Sequence, residues 1–80
     1  YPNPFNAKVT FEFVSQEATN ARIDIYDVTG RLVTTVFNNQ VKEGVLYNTE
    51  FNPVNINSGY LFYRMTLGEK IINGKLVYKK

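Results

Sequence analysis

The sequence predicts an all-β domain, an antiparallel sandwich of six to seven short strands, on three observations. Apolar and polar residues alternate with period two over several short stretches, as half-buried strands require. Asn, Asp, Gly and Pro, which favour turns, separate those stretches. No segment of helical length carries a helical period with caps, and there is no internal repeat or low-complexity tract. Eighty residues at 44% hydrophobic composition leave room for one core, so residues 1–80 are expected to form a single domain.

The first strand is predicted over residues 8–14, with Val9, Phe11 and Phe13 on one side and Lys8, Thr10 and Glu12 on the other. After a polar stretch, Ala21, Ile23 and Ile25 alternate with Arg22, Asp24 and Tyr26 in a second strand. Asp27-Val28-Thr29-Gly30 has Asp at the first position of a type I turn and Gly where a left-handed conformation closes a bulged hairpin. A third strand is therefore expected over residues 31–37. Its apolar residues, Leu32, Val33, Val36 and Phe37, do not alternate cleanly, which burial on both sides or a second bulge would explain.

Residues 38–44 read as a polar connection ending in a turn at Gly44, and residues 45–52 as a strand with Val45, Tyr47, Thr49 and Phe51 on one face. The connection from Asn52 to Gly59, rich in Asn and holding Pro53, suits a crossover between sheets. Residues 60–67 are placed centrally because both faces are apolar or aromatic: Leu61, Tyr63, Met65 and Leu67 on one, Tyr60 and Phe62 with Arg64 and Thr66 on the other. A reversal at Gly68-Glu69 leads into a last strand over residues 70–79, where Gly74 is expected to mark a bulge or bend or to split the strand in two. Short strands so spaced make an immunoglobulin-like sandwich. A five-stranded oligonucleotide-binding barrel is the structural alternative, but the basic groove it needs is missing.

Composition excludes much chemistry. Without Cys or His the chain cannot build a Ser-His-Asp or Cys-His nucleophile, a disulfide or a common zinc site, so no catalytic, cofactor or metal residue is assigned and no cofactor is expected. A glycosidase-like carboxylate pair would have to come from Glu12, Glu17, Asp24, Asp27, Glu43, Glu50 and Glu69, which fall on predicted solvent faces or in turns. Asp24, Asp27, Asn38 and Asn39 offer oxygen atoms for calcium, but in no spaced acidic loop. A net charge of +2, with basic residues scattered among acidic ones, argues against nucleic acid as a partner. No apolar run is long enough to span a membrane, and no signal peptide opens the chain. The start at Tyr1 and a sole methionine at Met65 suggest a processed or trimmed fragment of a longer protein. Most of the aromatic residues, 15% of the chain, are expected in core and cross-strand packing, with Tyr26, Tyr60 and Phe62 as candidates for a sugar-binding platform.

Four segments carry a family resemblance: Tyr1-Pro2-Asn3-Pro4-Phe5-Asn6, Ile25-Tyr26-Asp27-Val28-Thr29-Gly30-Arg31, Ser58-Gly59-Tyr60-Leu61-Phe62-Tyr63-Arg64 and Leu76-Val77-Tyr78-Lys79-Lys80. In this order, over essentially the whole chain, they resemble the type IX (Por) secretion C-terminal sorting domain of Bacteroidetes and related bacteria. Each motif also has a structural reason, since Pro2 and Pro4 are expected to hold the opening segment extended or turned and Gly30 to close a hairpin. Asn6-Ala7 and Tyr78 depart from the family's commoner residues.

The resemblance implies a signal that directs an upstream cargo in the same chain through the periplasm to the outer-membrane surface or the medium. Its implied partners are the type IX secretion machinery and a surface sortase, which commonly removes the domain. Carried over residue by residue, the recognition candidates are Gly59, Lys79 and Lys80, then Tyr1, Pro2, Asn3 and Pro4. The alternative is an immunoglobulin-like accessory module that binds polysaccharide or spaces an upstream enzyme. A similar tyrosine-aspartate-glycine-arginine turn occurs in the immunoglobulin-like domain of flagellar hook-capping proteins, but the opening motif and lysine end favour sorting.

Overall fold

Strict alternation in the sequence becomes one-sided burial in a computed structural model that describes residues 8–53 and 59–78. Six strands form: β1 (Val9–Val14), β2 (Thr19–Tyr26), β3 (Leu32–Val41), β4 (Leu46–Phe51), β5 (Gly59–Leu67) and β6 (Lys70–Tyr78). β1 pairs with β4 in a two-stranded sheet, and the other four lie in the order β3-β2-β5-β6, all antiparallel. The two sheets pack face to face as a sandwich. The step from β4 to β5 changes sheet, as the length of that connection suggested, and β5 is an interior strand.

The core is drawn from both sheets. Val9, Phe11, Phe13 and Phe51 meet Ala21, Ile23, Ile25, Val41, Leu61, Met65, Leu76 and Tyr78. Each large aliphatic side chain fully buried here contributes about 1.5–3 kcal/mol. Aromatic pairs pack both within and between the layers. Phe13 meets Phe37 edge-on at 5.3 Å and stacks on Tyr47 at 5.8 Å, and Phe11 meets Tyr63 edge-on at 5.2 Å. With no disulfide to close the chain, such contacts, about 0.5–1.5 kcal/mol each beyond burial, take on part of that role.

The predicted hairpin at Asp27–Gly30 forms with Gly30 at φ 86°, its N–H donating to the Asp27 carbonyl at 3.0 Å. The irregular pattern that follows resolves as two bulges: β2 pairs Ile23 with Phe37 but Asp24 with Thr35, and Ile25 with Thr34 but Tyr26 with Leu32. Val36 and Val33 are the extra residues. The carbonyl of Val36 accepts the Thr49 hydroxyl of β4 at 2.9 Å, so the bulge also ties the two sheets together.

Three expectations need correction. The third strand runs to Val41, not Phe37, because Asn38, Asn39 and Gln40 pair with β2 while exposed, and Val41 is buried at the end of the ladder. Val45 stands outside β4 and is exposed, so the inward residues of that segment are Tyr47, Thr49 and Phe51. Gly74 neither bulges nor splits β6, whose pairing with β5 is continuous from Lys70 to Tyr78. It is needed because the ring of Tyr63, its cross-strand partner, occupies the space a Cβ would take.

Candidate functional site

Two regions of the four-stranded sheet bear on function: the end where β5 begins and β6 finishes, and the outer face. At the end, Gly59 is the first residue of β5 and stands opposite Tyr78, the last of β6. Its φ of 144° belongs almost only to glycine, and nothing lies within 4 Å of an added Cβ, so conformation and not crowding selects the residue. Gly59 and Tyr78, the last described residue, thus share one corner of the fold. Tyr78 itself points inward with Leu76, both buried, which accounts for an apolar position at the end of the chain. Tyr1, Pro2, Asn3, Pro4, Lys79 and Lys80, like Ser58, lie outside the described residues.

The sheet's two edges differ. β3 is bulged twice and linked to β4, a form that resists pairing with another strand. β6 lies at the other edge among the described residues, its register is unbroken, and Ile71 and Ile72 are exposed along it.

The outer face carries the three aromatic residues singled out as platform candidates. Tyr60 is 51% exposed and Phe62 39%, and Tyr26 is half-buried beside Phe62, its direct partner in the ladder. Lys75 lies 4.9 Å from the centre of the Tyr60 ring and the Arg64 guanidinium 5.7 Å from that of Tyr26. Arg64 Nε donates to the side-chain oxygen of Asn73, across the ladder on β6, at 3.3 Å. Alternation alone puts Arg64 with Phe62, and counting back from the two-residue reversal at Gly68-Glu69 brings Asn73 opposite Arg64, so the signal for Asn73 lies in that turn.

The acidic residues nearby serve structure. Asp24, expected on a solvent face, is buried, and its Oδ1 accepts Thr35 Oγ1 at 2.6 Å and Arg22 Nε at 2.9 Å. That hydrogen bond holds the Arg22 guanidinium above its ordinary pKa. Asp27 Oδ1 accepts the Thr29 hydroxyl at 2.6 Å and the Thr29 and Arg31 N–H groups at 3.0 Å each. The Thr29 hydroxyl, then the Arg31 N–H, keep the Asp27 carboxyl below the usual carboxylate range.

A family model described as "Secretion system C-terminal sorting domain" matches residues 1–79. The chain belongs to that family. The resemblance carried by the four motifs therefore extends over nearly the full length, and the described residues of the sorting domain form a six-stranded β-sandwich. Its family role is that of a signal and not a catalyst, and it implies a secretion system and an upstream cargo as partners, with export to the cell surface or medium. No curated protein and no solved structure matches the chain significantly.

Proposed function

We propose that this sorting domain directs a cargo preceding it in the same polypeptide through the type IX system, out of the periplasm, to the cell surface or medium, and that a surface sortase then removes it. The family match over residues 1–79 carries this reading. The machinery reads the corner where Gly59 faces Tyr78, together with Lys79 and Lys80 that follow in the chain, and the opening Tyr1-Pro2-Asn3-Pro4 is a secondary contact. The regular β6 edge along residues 70–74 supports docking by strand addition, in which main-chain hydrogen bonds give affinity and exposed Ile71 and Ile72 give side-chain contacts.

The test is a periplasm-targeted fluorescent reporter fused ahead of the domain in a bacterium with type IX secretion. The intact fusion is expected at the surface or in the medium, with the reporter released at a size that lacks the domain. Deletion of Lys79 and Lys80, or their replacement by Glu, is expected to trap a folded fusion in the periplasm. An intact, folded fusion that stays in the periplasm overturns the sorting reading, and surface delivery at full length overturns sortase removal alone.

A further inference from the structure

The outer face of the four-stranded sheet holds an open groove of about 510 Å³, flanked by the Asp27–Gly30 turn and floored by Tyr26 and Phe62. That volume lies within the range of about 300–1,000 Å³ usual for small-ligand sites. The Phe62 side chain reaches solvent although β5 is an interior strand with ample inward-facing apolar residues, so its exposure is not forced by the core.

From this groove we infer a binding site for a neutral polysaccharide. A pyranose ring offers an apolar C–H face and a rim of hydroxyls, each both donor and acceptor. Phe62 supplies a flat apolar surface for the first. The rim meets both kinds of polar group. The Arg64 guanidinium and the Asn73 amide N–H groups donate, the Asn73 oxygen being already engaged by Arg64 Nε at 3.3 Å. The Asp27 carboxylate on the turn accepts; its Oδ2 has Arg31 Nε at 3.4 Å and room for another donor.

The charges decide the class of ligand. The charged residues lining the groove are Arg64 and Asp27, and Asp27 is paired with Arg31 at 3.4 Å, so the lining offers a single cation beside an ion pair and no cluster of either sign to hold a polyion. A single-stranded nucleic acid would need a continuous basic track beside its aromatic platform, and the groove has none. A polyol, which wants donors and acceptors in mixture and carries no charge, fits both.

The inference stands apart from the sorting reading, because its readout is binding by the full chain and not secretion. The ¹⁵N-labelled chain is titrated with neutral hexasaccharides, β-1,4-glucan, α-1,4-glucan, β-1,4-mannan and β-1,4-xylan, with oligogalacturonate and an oligoglutamate peptide as charged comparisons. At least one neutral saccharide is expected to shift the amides of Tyr26, Phe62, Arg64 and Asn73 saturably, with Kd in the millimolar range or below. Phe62→Ala, a change at an exposed position, should weaken that binding roughly tenfold while leaving the rest of the spectrum in place. Asn73→Ala should weaken it severalfold. The proposal is overturned if no neutral saccharide in this set binds, if only the charged ligands shift these amides, or if Phe62→Ala binds as the parent does.

Discussion

Gly74 is where a single hydrogen matters most. The Tyr63 ring lies where its Cβ would be, and that ring is held on its other side by the edge-on contact with Phe11. Gly74→Ala is therefore expected to displace Tyr63 and cost about 1–3 kcal/mol, measured as a lower urea midpoint. The loss should largely vanish in a Tyr63→Ala background, where there is no ring to displace. Asp27 behaves differently because its contribution depends on pH. Its carboxyl is held below the ordinary value by the Thr29 hydroxyl and the Arg31 N–H, so the unfolded chain takes up its proton at higher pH than the folded one. The stabilisation is present above the unfolded pKa of about 4 and is lost as pH falls through the lower folded pKa. Asp27→Asn should thus lower the urea midpoint at pH 7 and leave it nearly equal to the parent's at acid pH.

Among the elements, β3 shows how a real pattern can be misread. Leu32 to Phe37 break the alternation because Val33 and Val36 are bulged out of register, which a period-two reading cannot place without the partner strand. The continuation through Asn38, Asn39 and Gln40 looks like a loop, since these residues have poor strand propensity. They are strand because Asn20, Ala21 and Arg22 of β2 pair with them, and Asn20 Nδ2 donates to Asn38 Oδ1 at 3.3 Å. Val41, at the end of this polar tract, is only 2% exposed. Val41→Asn is expected to destabilise by at least ~2 kcal/mol in equilibrium denaturation, from lost burial and an amide without room to hydrate. Leu46→Asn, at an exposed position of β4, should move the midpoint little.

For the whole molecule, the end of the chain belongs to both the core and the candidate signal. Tyr78 is buried with Leu76 in the core, whereas Lys79 and Lys80 follow it in the sequence. Removing residues 78–80 is expected to lower the melting temperature by several degrees, since loss of a buried aromatic costs about 3–5 kcal/mol. Removing only residues 79–80 should leave it almost unchanged. Circular dichroism melts of the two truncations check this, and they also mark which truncation can be used to assess secretion without loss of fold.

The sequence by itself determined the class of fold, the inward residues of β1 and β2, the central place of β5, and the two turns at Gly30 and Gly68, because alternation and turn chemistry are local and follow from the backbone. It also carried the family, through motifs spread over the chain. Only the tertiary structure decided that β1 and β4 pair apart from the other four strands, that Val33 and Val36 are the residues bulged from β3, and that the Tyr63 ring meets Phe11 of the facing sheet. Each of these depends on which strands meet. Outside a tight hairpin, whose turn fixes its own register, that is set by which residues the facing sheet buries, and the information is shared among distant segments and resides in none of them alone.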